Sequence, residues 1–207
     1  MPEFTCVTCD APFTLSDEVL DRYPGWTPRF CKEHGRKGKG AGQRKPLEEN
    51  LRLAEVLERY SGGPQDGIFT DGSCSPNPGP GGWGAVWVRG GEVLARAHGR
   101  EADTTNNRME LRALIEGMKM LSADDEVTLH SDSQLCVKTI NEWAAGWERR
   151  GWTRKTGAIK NLDLVQELYA SAGEHPKVRL EWLKAHSGNL WNEYADSLAT
   201  AWMRDSL

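Results

Sequence analysis

Four carboxylates and one histidine carry the most chemistry that this sequence can do: Asp71, Glu110, Asp132, Asp196 and His186. Brought together, four carboxylates repel one another unless a cation lies between them. Mg²⁺ suits such a set, because it takes oxygen ligands and keeps part of its water shell. Taken singly, each acid also has an ordinary local use. Asp71-Gly72 fits a turn, Glu110 in the first turn of a helix favours the helix dipole, and Asp132 before Ser133 caps a helix. An imidazole such as that of His186 exchanges protons near neutral pH, although a lone loop histidine is often a bystander. A second ligand set lies near the start of the chain. Cys6-x-x-Cys9 and Cys31-x-x-His34 each have the spacing with which two side chains grip one tetrahedral zinc; reduced free thiols or a redox pair are the alternatives.

The elements that must position these residues follow from the hydrophobic pattern. After Gly67 the short apolar runs at residues 68–70, 83–88 and 92–97, broken by Gly and Pro, predict three successive strands joined by turns. Met109, Leu111, Leu114, Ile115, Met118 and Leu121 recur at helical spacing and predict a helix over 107–121. A strand at 127–130, helices near 134–143 and 160–172, a strand at 178–182 and a last helix from about 192 to 203 complete the order β-β-β-α-β-α-α-β-α. An opening meander followed by alternating strands and helices predicts an α/β fold, a mixed sheet flanked by helices. Upstream, residues 35–46 have no acidic and no large apolar residue, which reads as a flexible basic linker. Leu47, Leu51, Leu53, Ala54, Val56 and Leu57 fit a short amphipathic helix over 47–60, of no legible purpose. The expected division is therefore a small module at 1–34, linker and short helix at 35–64, and a main domain at 65–207.

Five short segments occur in a telling order: Thr70-Asp71-Gly72-Ser73, Asn106-Asn107-Arg108-Met109-Glu110-Leu111, Ser131-Asp132-Ser133-Gln134, Lys184-Ala185-His186-Ser187-Gly188 and Asn192-Glu193-Tyr194-Ala195-Asp196. In order and spacing they resemble type 1 ribonucleases H, over essentially residues 67–203. Gly79-Pro80-Gly81-Gly82-Trp83-Gly84 and the tryptophan-rich stretch 143–161 extend the resemblance. It implies a five-stranded sheet, three antiparallel strands and then parallel ones, and endonucleolytic cleavage of the RNA strand of RNA/DNA hybrids. The products would carry 5′-phosphate and 3′-hydroxyl ends. Two Mg²⁺ ions, with Mn²⁺ as an alternative, would be held by Asp71, Glu110, Asp132 and Asp196, generating the nucleophile from water and stabilising the leaving oxygen. The resemblance further implies a role for His186 in proton transfer or product release, assisted by Glu193. Hybrid recognition runs through the minor groove, where the 2′-hydroxyl distinguishes the strands. Asn77, Asn106 and Gln134 would contact the strands there and Thr105 a DNA phosphate, although Asn is also a common turn residue. Trp143, Trp147 and Trp152, interleaved with Arg149 and Arg150, resemble a basic protrusion that packs on sugars and pairs with phosphates. Glu148 dilutes that patch. The alternative is that the tryptophans bury a helix–helix contact while the charges are merely solvated, and both uses are expected to coexist.

The composition agrees with an enzyme-sized domain. The chain has 207 residues, 38% hydrophobic and 27% charged, which excludes fibrous and disordered classes. Its net charge of -4 argues against nucleic acid only globally, because cations concentrate at Arg36, Lys37, Lys39, Arg44 and Lys45 and again at Arg149, Arg150, Arg154, Lys155 and Lys160. Five cysteines without an export signal argue against a disulfide framework. Cys74 and Cys136 are expected to be ordinary buried thiols. No apolar run suits a membrane, so a cytoplasmic monomer is expected. A module of about 34 residues buries little, and zinc would take the place of a core in it. Its partner, nucleic acid or protein, is left open. A catalytically idle hybrid-binding module, or a resolvase-like or integrase-like nuclease on the same fold, are the competing readings. The complete carboxylate set with His186 disfavours the first, and Asn106, Gln134 and the basic protrusion disfavour the second.

Overall fold

A computed structural model describes residues 2–21, 27–34, 50–204 and 207. The chain divides into two units, Met1–Glu49 and Asn50–Leu207. The basic linker at 35–46, with its five cations, and the start of the expected helix at Leu47 lie outside the described residues.

In the smaller unit, β1 (Glu3–Thr5) pairs antiparallel with β2 (Pro12–Thr14), and α1 (Asp17–Asp21) follows. Phe4 sits opposite Phe13, their ring centres 5.8 Å apart. Among the described residues of this unit only Cys6 and Pro28 are buried. That is too little apolar burial to hold a fold by itself. The hairpin and α1 were not anticipated, because three-residue strands and a five-residue helix are too short to leave a periodic signal.

The larger unit is built on β3 (Gly67–Cys74). It pairs antiparallel with β4 (Gly79–Arg89), which pairs antiparallel with β5 (Glu92–Thr104). On its other edge β3 runs parallel to β6 (Thr128–Ser131), which runs parallel to β7 (Arg179–Trp182). The order is β5-β4-β3-β6-β7, the mixed five-stranded sheet expected. β4 and β5 extend well past their apolar runs. Glycines at the start of β4 pair with the far end of β5, whose residues alternate between half-buried and exposed, so hydrophobicity does not mark these ends.

Neighbouring residues on β3 serve opposite faces, as strand geometry requires. Ile68 joins Leu114, Leu129, Leu164 and Leu168 in one core. That core is covered by α3 (Asn106–Met118), α4 (Gln134–Lys138), a π-helical segment (Thr139–Ala144), α5 (Ala145–Glu148) and α6 (Leu162–Glu174). Phe69 joins Val56, Val86, Trp191, Tyr194 and Leu198 in the other, beneath α2 (Leu53–Arg59) and α7 (Leu190–Ala199), with a 3₁₀ turn at Ala201–Met203. The short upstream helix thus has a purpose after all. Residues 50–64, expected to be linker and free helix, fold with the larger unit, because Leu53 and Val56 are buried in its core. The Ser197 hydroxyl also donates to the Leu51 carbonyl at 2.6 Å.

Two glycines bring helices onto the sheet. A side chain at Gly72 would collide with the backbone of Met109 and Glu110, so its hydrogen lets α3 lie directly on β3. A Cβ at Gly84 would come 2.5 Å from the Ala195 carbonyl oxygen, so α7 approaches β4 equally closely.

Candidate active site

Parallel pairing sets two carboxylates side by side. Thr70 of β3 is level with Ser131 of β6, so the next residues, Asp71 within β3 and Asp132 just past the end of β6, stand side by side. The close approach at Gly72 adds Glu110. Carboxylate oxygens of Asp71, Glu110 and Asp132 lie within 4.8 Å of one another. Glu110 is not in the first turn of its helix, as expected from sequence, because α3 begins at Asn106 with Thr105 as N-cap; a helix-dipole role does not explain it. Nor does Asp132 cap α4, whose N-cap is Ser133.

The cluster resists full ionisation. Burial, followed by the charges of Asp132, Glu110 and Asp196, holds the Asp71 carboxyl well above the ordinary carboxylate range, while the Gly72 N–H, donating at 2.8 Å, pulls it down. Burial and then Asp132 push Glu110 the same way, against a 3.2 Å hydrogen bond from the Asn106 amide. The second Glu110 oxygen, Oε2, is buried without a hydrogen-bond partner. Asp196 on α7 lies outside the tight triad but close enough for its charge to act on both Asp71 and Glu110.

Sequence reasoning missed two neighbours of Asp132. Asn192, 2% exposed, donates from Nδ2 to Asp132 Oδ2 at 3.5 Å, and the Trp182 indole donates to the Asp132 carbonyl at 3.0 Å. Asn192 stands four residues before Asp196 on α7. That helical spacing placing both on one face was the available signal.

His186 occupies the segment between β7 and α7 with φ 47°. Its Nδ1 is 3.9 Å from Glu193 Oε2, the imidazole half exposed and the carboxylate nearly buried. Burial raises the Glu193 carboxyl above its usual range, and His186 opposes the shift. The structure therefore brings these two sequence-expected residues together.

The expected substrate residues fall into groups. The Asn106 N–H donates to the exposed Asn77 Oδ1 at 3.3 Å, beside Thr105, and Gln134 is exposed at the start of α4. Trp143 and Trp147, ring centres 5.9 Å apart, line a cleft of about 130 Å³ with Leu111, Arg154 and Lys160. Arg149 and Arg150 are exposed beyond α5 and do not line it. Trp152 departs from the expected grouping: it packs edge-on against Tyr169 at 5.8 Å, beside the core under α6, because its positive φ of 59° turns the chain there. Cys136 is an ordinary core thiol whose burial pushes it up to about 12; Cys74 is half-buried and donates to the Pro76 carbonyl at 3.2 Å.

In the smaller unit, the Sγ atoms of Cys6, Cys9 and Cys31 and a ring nitrogen of His34 also fall within 4.8 Å of one another. Cys31 Sγ is 3.4 Å from His34 Nδ1, Cys6 Sγ 3.8 Å from the same nitrogen, and Cys9 Sγ 3.8 Å from Cys31 Sγ. Burial opposes ionisation of Cys6, yet the backbone N–H groups of Cys31, Thr8 and Cys9 outweigh it and lower the thiol to about 6. The His34 bond lowers Cys31 as well.

Adjacent parallel strands and an overlying helix thus deliver three carboxylates to one point, an all-oxygen donor set of the kind that divalent-metal-dependent hydrolases use. Sequence comparison narrows this class. The ribonuclease H family model matches residues 64–204. A ribonuclease H from Bordetella pertussis is 47% identical over 148 residues, 71% of this chain and 94% of that protein. One from Agrobacterium fabrum is 50% identical over 133 residues, 64% and 90%. The crystal structure of LC9-RNase H1, described as a type 1 RNase H with the type 2 active-site motif, superposes with a TM-score of 0.57 at 34% identity, covering 68% of this chain and 74% of that one. The chain belongs to the ribonuclease H family, nucleases that use divalent metal ions. The Cys/His unit lies outside the matched residues.

Proposed function

We propose that this chain cleaves the RNA strand of RNA/DNA hybrids endonucleolytically, leaving 5′-phosphate and 3′-hydroxyl ends, with Mg²⁺ as its metal and Mn²⁺ as a substitute. The carrying observation is the triad of Asp71, Glu110 and Asp132 within 4.8 Å, in a chain of this family. The donor set fits: all oxygen, mutually repelling, with Glu110 Oε2 buried and unpartnered. Divalent ions held there would supply activation of water and stabilisation of the leaving 3′ oxygen. Asp71, Glu110, Asp132 and Asp196 are the ligands in this reading, with the Asn192 amide orienting Asp132. His186, aligned by Glu193, carries a proton to or from the product side.

Recognition of the hybrid falls to Asn77, Asn106 and Gln134 in the minor groove, to Thr105 at a DNA phosphate, and to Trp143 and Trp147 in their cleft with Arg154 and Lys160 on its wall. Arg149 and Arg150 add exposed charge nearby in sequence, and Trp152 supports the protrusion from beneath. Free cysteines and the absence, among the described residues, of a helix able to cross a membrane favour the cytoplasm.

Zinc is the reading for the smaller unit. A tetrahedral ion with bonds of about 2.3 Å to sulfur and about 2.0 Å to nitrogen needs S···S edges of about 3.8 Å and S···N edges of about 3.5 Å. Cys9–Cys31 at 3.8 Å and Cys31–His34 at 3.4 Å match those edges, and Cys6–His34 at 3.8 Å is slightly long for an S···N edge, which supports this reading.

The deciding assay follows strand-labelled RNA/DNA hybrid, duplex DNA, duplex RNA and single strands on gels, with Mg²⁺, Mn²⁺ or EDTA. Metal-dependent cutting of the RNA strand of the hybrid alone is expected. Cutting of the DNA strand, or binding without cleavage, overturns the proposal.

A further inference from the structure

We infer that the smaller unit is a second nucleic-acid-binding element, in which the exposed Phe30 ring stacks on an unpaired base while Arg29 and Lys32 hold the adjoining phosphates. This rests on the zinc reading for the frame that presents them. The unit packs two of its phenylalanines, Phe4 and Phe13, against each other, but leaves Phe30 43% and Val7 53% exposed. Phe30 immediately precedes the ligand Cys31, and Val7 immediately follows the ligand Cys6. The Val7 N–H donates to the Arg29 carbonyl at 2.9 Å, so the two apolar positions are carried by backbone segments bonded to each other.

Charge selects the occupant. Residues 2–21 carry five acids and no Lys or Arg, whereas Arg29 and Lys32 are exposed on either side of Phe30 in a stretch, 27–46, that has five more cations after residue 35 and Glu33 as its one acid, so the positive charge is local to Phe30. In sequence the one exposed phenylalanine ring of this unit's described residues stands between two exposed cations, the combination with which unspecific single-strand binders seat a base and its phosphates. Bases in a duplex are already stacked on their neighbours, so the ring calls for an unpaired strand.

The test uses the full chain, purified with zinc and without chelator, and fluorescence anisotropy with fluorescein-labelled oligothymidylate and oligouridylate of about 16 nucleotides, the upper range of such sites. Phe30→Ala should weaken binding roughly 5- to 150-fold, the range seen when one stacking aromatic is removed. Phe30→Trp should retain it, and Phe30→Leu should behave like Phe30→Ala. Loss with one oligonucleotide only assigns the face to that sugar. Unchanged affinity in Phe30→Ala, or full affinity in Phe30→Leu, overturns stacking, the latter in favour of apolar protein docking. Zinc is measured on every sample. A wild-type chain that holds one zinc but is indifferent to Phe30 sinks the platform alone, whereas a chain without zinc sinks the metal reading and the frame with it. If Phe30→Ala itself loses zinc, the Arg29→Ala, Lys32→Ala double variant decides. The slope of log Kd against log salt should fall by about 1.4 for two lost phosphate contacts, and an unchanged slope overturns the inference.

Discussion

Replacing Asp71 by Asn should destroy cleavage and yet make the metal-free protein more stable. Asp71 is buried, its carboxyl within 4.8 Å of those of Glu110 and Asp132. At that separation and an effective dielectric of about 20, one pair of full charges repels by about 3 kcal/mol. Because the carboxyls escape part of this by holding protons, the relief on removing one of them should be roughly 1–3 kcal/mol. Asn keeps an oxygen to accept the Gly72 N–H, so no hydrogen bond is lost. For a unit of this size each kcal/mol moves Tm by about 2–4 °C, giving a rise of roughly 2–12 °C without divalent metal at pH 8. The pH dependence has a definite sign. Burial and neighbouring charge raise the folded-state pKa of Asp71 above its ordinary 3.8, so the folded protein binds protons more tightly than the unfolded chain. The wild type therefore loses stability as pH climbs above that value, and the advantage of Asp71→Asn should grow with pH and close on acidification. Adding Mg²⁺ should raise the wild-type Tm and shrink the gap. Thermal melts followed by circular dichroism between pH 4 and pH 8 test this. A variant that melts at or below the wild type at pH 8, or a gap that does not vary with pH, refutes the account of the cluster as a repulsive cation site.

Three further outcomes are expected. His186→Ala should lower kcat on the order of 10²-fold with little change in KM or in the Mg²⁺-induced rise in Tm, and an unchanged kcat in single-turnover kinetics would remove it from proton transfer. Cys9→Ser, or a zinc chelator, should release the metal and increase hydrogen exchange over residues 2–21 and 27–34, while exchange in β3 and α3 stays as it was; protection that survives metal loss contradicts zinc as the core of that unit. Arg108→Ala removes a two-pronged pair with Asp163, 3.1 and 2.9 Å, that ties α3 to α6. Both partners are partly exposed, so it should cost no more than about 1 kcal/mol, screened by salt, with kcat unaffected. Arg108 depresses the Asp163 carboxyl, so this contribution is present above the ordinary carboxylate value and disappears as pH falls through the depressed one, and a loss that persists at low pH contradicts the assignment.

What sequence could and could not reveal divides along physical lines. The alternation that separates Ile68 from Phe69 and the helical spacing of Met109, Leu114 and Met118 are imposed by burial, so the sheet and its long helices were legible. The ends of β5 and the hairpin at Glu3–Thr5 and Pro12–Thr14 are set by backbone pairing with little burial, and left no trace in the pattern. The carboxylates were legible as motifs, but their grouping depends on distance. Asp71 meets Asp132 through strand register and meets Glu110 because Gly72 has no side chain. The same holds for α2, whose role appears only when Leu53 and Val56 are seen beneath α7.

Trp152 shows how one basic aromatic stretch can be divided between two uses. In sequence it continues the run of Trp143, Trp147, Arg149 and Arg150, for which groove packing and a buried helix contact were both expected. The structure divides them by backbone geometry. The first two share helical segments and a cleft with Arg154 and Lys160, while the left-handed turn at Gly151 and Trp152 sends the third ring to Tyr169. The stretch thus serves two ends at once. Trp152 anchors its turn against Tyr169 of α6, while Trp143 and Trp147 stay in the cleft beside the two cations.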